Sequence, residues 1–152
     1  ERSRRQRQMC IRDSYTHVLV GPASVSLLKM KFPKRRQEVA TEFGYPMYAE
    51  GLRRAIEFLA PLNVPIEITE NGVADAEDTL RTEHLRRHLW VLSNAVKDGH
   101  DVRSYHHWSL MDNFEWAEGY SMRFGLHRVD FESQERTLRP SGEVYKAIVG
   151  RR

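Results

Sequence analysis

The sequence has a single cysteine, Cys10, so no disulfide can form within the chain. A reducing compartment, the cytoplasm, is the simplest expectation. No stretch approaches the roughly 18 apolar residues that a membrane helix needs, and no charged-then-apolar leader resembles a signal peptide. Internal repeats and low-complexity tracts are missing too. Excess charge is small: 24 basic side chains face 21 acidic ones, a net +3. That excess is local, because residues 1–14 hold five arginines (Arg2, Arg4, Arg5, Arg7, Arg12) against Glu1 and Asp13, leaving 19 of each sign elsewhere. Such an arm binds nucleic acid or an anionic membrane, or is a disordered or foreign end. The stretch "RQRQMCIRDS" resembles translated linker sequence, so residues 1–14 are set aside from the fold. Neither a nucleic-acid nor a membrane partner is expected.

With 152 residues, 40% hydrophobic and 30% charged, the chain has the composition of one globular domain, residues 15–152. Residues 15–20 are β-branched and aromatic, as a strand requires, and Gly21-Pro22 breaks them. Residues 23–46 read as a long loop. Over 47–60, Leu52, Ile56 and Leu59 recur at helical spacing, and Pro61 is the expected stop. Residues 64–69 read as a strand covered on both faces. Residues 79–98 read as a helix with the stripe Leu85, Leu89, Leu92 and Val96, with Arg81 off the stripe and Gly99 as its stop. Residues 102–108 and 124–131 read as extended, and Pro140 opens a last helix that places Val144 and Ile148 on one face. Alternating strands and helices predict parallel β/α units, with functional groups at the C-terminal ends of strands.

Glu70, in "ITENG", sits at such an end. A helix cap is a poor explanation, since the next helix begins near residue 79. A surface loop position, an ion pair with an arginine, and catalysis remain. A second stretch, "WSLMDNFEWAEGYSMRFGL" (108–126), bears on the choice. It interleaves aromatic rings with Asp112, Glu115 and Glu118. A pyranose stacks its C–H face on a ring and donates its hydroxyls to carboxylates. An ordinary aromatic core would not choose three acids within so short a span, because unpaired buried charge is costly. His106 and His107 are adjacent on a strand and point to opposite faces, so they share no metal. His84 and His88, four apart on a helix and without further ligands, read as a solvated pair.

"ITENG" followed by "WSLMDNFEWAEGYSMRFGL" resembles glycoside hydrolase family 1, the β-glucosidase family. "TEFGYPMYAEGL" (41–52) and "RPSGEVYKAIV" (139–149) resemble the segments flanking these motifs in that family. The resemblance covers roughly residues 41–150. It implies a (β/α)8 barrel, of which this chain supplies the C-terminal portion, about three β/α units. It also implies a retaining β-glycosidase in which Glu70 is the catalytic nucleophile, kept ionised by surrounding polar donors. Trp108 matches the stacking platform for the sugar, and Glu115 the acid that holds its far hydroxyls. Trp116 matches a neighbour reaching the same hydroxyls, and Phe124 a residue lining the pocket. An acid at Glu115 implies unphosphorylated β-glucosides, since it would repel a sugar phosphate. Tyr15-Thr16 resembles the end of an N-Y-Y-T-like segment whose last Tyr hydrogen-bonds the nucleophile, although the residues before Tyr15 do not fit. No metal or cofactor is implied.

The chain departs from the family in one decisive respect: it contains no N-E-P, the motif carrying the general acid/base. Glu42 and Glu118 lack that context. A barrel of this kind needs about 250 residues or more, so the N-terminal part of the barrel is expected to be missing and the sheet to be open, with apolar faces exposed. The isolated chain is then expected to be poorly stable and nearly inactive. The alternative is a non-catalytic sugar-binding fragment, which Trp108, Glu115 and Trp116 would serve equally well.

Overall fold

The computed structural model describes residues 39–150. The basic leader, the expected strand 15–20 and Tyr15 lie outside them. In chain order the elements are α1 (Ala49–Leu59), a 3-10 turn (Ala60–Leu62), β1 (Ile66–Asn71), α2 (Arg81–Lys97), β2 (Val102–His107), a second 3-10 turn (Trp116–Glu118), β3 (His127–Val129), β4 (Arg136–Leu138) and α3 (Pro140–Val149).

β1 and β2 pair in parallel with α2 as the crossover, a single βαβ unit. β3 and β4 form an antiparallel hairpin instead of a further parallel strand. Its turn is built by Asp130, whose Oδ1 accepts the backbone N–H groups of Glu132 and Ser133, both at 2.9 Å. The described residues hold one complete parallel βαβ unit; the strand expected at 15–20, part of the three units, lies outside them.

The core lies between β1 and the helix pair. Leu52, Ile56 and Leu59 of α1 pack on Ile66 and Ile68 of β1 and on Val91 and Ala95 of α2. The α1 stripe is the expected one. α1 stops at Leu59, and Pro61 sits inside the 3-10 turn that follows, where its missing N–H costs nothing. α2 ends in a Schellman motif: Gly99 takes φ 94°, its N–H donates to Val96 O at 3.0 Å, and His100 N–H donates to Ala95 O at 3.1 Å.

Two expectations fail in part. The buried face of α2 carries Arg81, His84, Leu85, His88, Val91 and Ala95, while Val96 is exposed. Leu85 is buried and Leu92 packs on the core as expected, but the buried face is shared with Arg81, His84 and His88. Second, β1 is not covered on both faces, for Glu67 is exposed. The exposed positions of the two strands, Glu67, Arg103 and His106, are polar; the exposed apolar side chains, Phe58, Trp90 and Leu110, lie on helices and loops. α3 begins at Pro140 as expected, with Val144 and Ile148 four apart on one face, where Ile148 is 40% exposed.

Candidate active site

The strand end carrying Glu70 owes its shape to three consecutive residues. Between the pairs Ile68↔Tyr105 and Asn71↔His107, β1 has one residue more than β2. Glu70 lies in this bulge, a device that re-aims side chains at strand ends. Asn71 is fully buried, and its carbonyl accepts the Trp108 N–H at 3.0 Å while its Oδ1 accepts the Tyr105 hydroxyl at 3.0 Å. Gly72 then passes so close to β2 that a Cβ would overlap the Trp108 carbonyl. Acid, amide and glycine therefore do separate jobs: one projects, one ties the strand ends together, one makes room.

Glu70, Trp108, Glu115, Trp116 and Phe124 line one cavity of about 300 Å³. Five of the six expected site residues thus meet; the sixth, Tyr15, lies outside the described residues. The Trp108 indole N–H donates to Glu115 Oε1 at 3.1 Å. Burial pushes the Glu115 carboxyl above its ordinary range; the Trp108 hydrogen bond opposes this, and the neighbouring negative charge of Glu70 adds to it. Trp116 is 85% exposed at the rim. The Trp108–Ser109 peptide is cis. Among the described residues none donates a hydrogen bond to Glu70, so the expected shell of donors is not found there.

The other two acids of the aromatic stretch are elsewhere. Asp112 is buried in a structural pair, its oxygens accepting Arg139 Nη1 at 2.9 Å and Nη2 at 3.1 Å, and the N–H groups of Gly125 and Val129. Glu118 is exposed on the 3-10 turn. The cluster of three acids therefore divides into one pocket acid, one structural acid and one solvated acid. Asp75, unremarked in the sequence, caps α2 by accepting the N–H groups of Thr79, Leu80 and Arg81.

Two parts of the wall escaped sequence reasoning. Phe43, stacked on Tyr45 at 5.1 Å and 6.1 Å from Phe124, closes one side. His84 and His88 form another side. They are buried, not solvated, and their rings stack at 3.8 Å. Burial lowers both pKa values, that of His88 to about 4. Their four-residue spacing was the available signal. Among the described residues, no group of three or more His, Cys, Asp or Glu side chains could hold a metal ion, and no helix is long and apolar enough to cross a membrane.

The model of glycosyl hydrolase family 1 matches residues 10–152. The chain belongs to that family. Its fold is similar to the crystal structure of the hyperthermophilic β-glucosidase from Pyrococcus furiosus, with 51% identity, a TM-score of 0.71, and coverage of 73% of this chain and 24% of that one. In sequence it is 40% identical over 121 residues to an Agrobacterium β-glucosidase, covering 73% of this chain and 26% of the relative. It is also 40% identical over 110 residues to a Pyrococcus woesei β-galactosidase, covering 72% and 22%. The chain spans about a quarter of the length of these family 1 relatives. The expected family motifs thus lie inside a matched segment, and the bulge at Glu70 with the Asn71 and Gly72 contacts gives the E-N-G triplet of this member a physical reason.

Proposed function

We infer that this chain is the nucleophile-bearing and sugar-holding part of a retaining β-glycosidase acting on unphosphorylated β-glucosides or closely related sugars. One observation carries the reading: Glu70, Trp108 and Glu115 face a single cavity, at the small end of the range for small-molecule pockets. Relatives named β-glucosidase and β-galactosidase support the reaction class.

The proposed chemistry follows from the two kinds of carboxylate in the pocket. A pyranose stacks its C–H face on the Trp108 indole. Its hydroxyls donate to Glu115, whose orientation the Trp108 N–H fixes. The Glu70 carboxylate attacks the anomeric carbon, forming an ester bond as the glycosidic bond breaks and the leaving oxygen takes a proton. Water then cleaves the ester from the same face, so configuration is retained. A retaining mechanism needs a second carboxyl about 5–5.5 Å from the first as acid/base. With no N-E-P in this sequence, that group belongs to the three quarters of the barrel that the relatives have in addition.

The test compares two proteins with 4-nitrophenyl β-glucoside. The 152-residue chain alone should show no turnover above background. A chimera joining residues 39–152 to the remainder of the P. furiosus β-glucosidase should hydrolyse the substrate, and Glu70→Gln in the chimera should lower kcat by about 10⁴-fold or more. A chimera that folds and keeps turnover after Glu70→Gln contradicts the assignment.

A further inference from the structure

Two histidines in the wall of the Glu70 cavity, and a third behind them, have no part in the proposed reaction. His84 and His88 line the cavity directly, are 4% and 2% exposed, and stack at 3.8 Å with 23° between their planes. His88 Nδ1 lies 2.9 Å from His84 O. A carbonyl only accepts, so that nitrogen carries the proton and the neutral tautomer is fixed. His107, behind them on β2, has both ring nitrogens buried and, like His84 Nδ1, without a well-formed hydrogen bond among the described residues, the Asn71 backbone being its one polar neighbour that favours a proton. His107 pairs in register with Asn71, the residue that ties Trp108 to β1. The cluster therefore touches both the cavity wall and the joint that shapes the strand end.

We propose that the stacked His84–His88 pair, with His107 behind it, is an acid-sensitive latch that holds the Glu70 cavity together only while its imidazoles are uncharged. The inference rests on the Glu70 cavity being the working site. Two stacked imidazolium rings repel, and the charged side chain acting on both His84 and His107 is a cation, Arg81. Buried Arg81, itself beside Arg139, lies near His84 and His107 and is partnered by Asp78 and the Asp75 carbonyl. On α2, Arg87 opposes a proton on His88, and from α1 Glu50 favours one. From α3, Tyr145 packs on the His107 ring at 5.8 Å. Glu70 shares the cavity.

The sign follows from burial, which depresses the pKa of His88 to about 4 and of His107 to about 3, with His84 also well below its ordinary value. An opened chain takes up protons near pH 6.5, so it binds more protons than the closed one between pH 6.5 and about 4. Closure is fully favoured above pH 6.5 and is lost progressively as pH falls.

The experiment follows hydrogen-exchange protection of the Trp108 amide, which is bonded to Asn71, from pH 7.5 to 4, after correction for intrinsic exchange. It is run on the 152-residue chain and on the P. furiosus chimera. Protection should fall below pH 6.5 with a slope reporting uptake of at least two protons. In the double variant His84→Phe/His88→Gln, which keeps a ring and a donor but no titrating group, the fall should move down by about one pH unit and the slope should drop by about two protons. An acid profile unchanged in the variant overturns the latch. So does NMR showing His84 and His88 titrating near 6.5 in wild type with Trp108 still protected. If the double variant fails to fold at pH 7, the single His88→Gln and the wild-type histidine titration decide in its place. Because amide protection is independent of turnover, an acid-labile cavity around a Glu70 that proves catalytically idle would sink the proposed function and leave the latch standing.

Discussion

The Asn71 carbonyl accepts the Trp108 backbone N–H at 3.0 Å, so the residue after Glu70 and the aromatic platform are joined by one main-chain hydrogen bond across the ends of β1 and β2. Glu70 and Trp108 cannot shift independently. The proposed nucleophile and the proposed stacking surface keep one relative placement because the parallel ladder extends to the point where both side chains leave it.

Gly72 is where that joint is most vulnerable. A Cβ there would run into the Trp108 main chain, which a rotamer change cannot relieve. Gly72→Ala should destabilise by about 3 kcal/mol or more, at the upper end of single substitutions, and abolish turnover in the chimera. Urea unfolding checks the first and 4-nitrophenyl β-glucoside the second.

The Trp108–Glu115 hydrogen bond separates two functions of the indole. Trp108→Phe keeps a stacking ring and removes the N–H that holds the Glu115 carboxyl down against burial and the charge of Glu70. The Glu115 pKa should then rise further. On the proposed reading sugar binding needs the ionised Glu115 and is lost as pH falls through that pKa, so the acid limb of KM in Trp108→Phe should begin at a higher pH than in wild type. Glu115→Gln should weaken sugar binding about tenfold to a hundredfold, the value of a hydrogen bond to a charged group, and make KM insensitive to acid over the same range. Inhibition by glucose as a function of pH measures both.

Asp112 and Arg139 form a buried bidentate pair that also fixes Gly125 and Val129. Removing Arg139 leaves the buried Asp112 carboxylate with only the more distant Arg123, at 3.7 Å, and two backbone N–H groups. Arg139→Met should cost about 3–5 kcal/mol. The double variant Asp112→Leu/Arg139→Met should recover part of the loss, as a double-mutant cycle by urea unfolding will show.

The sequence was most legible where one residue type has one plausible use. The α1 stripe Leu52, Ile56 and Leu59 lies in the core as its spacing predicts. The residues that the family resemblance singled out, Glu70, Trp108, Glu115, Trp116 and Phe124, line one cavity because the motifs sit at adjacent strand ends. Legibility failed where polar side chains are buried. Arg81 looked like a surface cation, yet it is fully buried with its guanidinium on the Asp75 and Arg123 carbonyls and on Asp78. His84 and His88 looked solvated, yet they stack inside the wall. Hydrophobic periodicity counts leucines and cannot see a carbonyl awaiting a donor. The acid cluster misled for a related reason: Asp112 and Glu115 are three apart, but one turns toward Arg139 and the other toward Trp108. The β3–β4 hairpin could have been found from Asp130, an aspartate poised to accept N–H groups two and three residues on.

The central claim is that Glu70 forms the covalent bond to sugar. The most direct test treats the chimera with 2,4-dinitrophenyl 2-deoxy-2-fluoro-β-glucoside, whose fluorine slows release of the glycosyl-enzyme, and maps the label by peptide mass spectrometry. The account predicts one added fluoroglucosyl group per chain, on the peptide containing Ile68-Thr69-Glu70-Asn71-Gly72, absent in Glu70→Gln. A label on any other carboxylate, or steady turnover with no label at all, would contradict it.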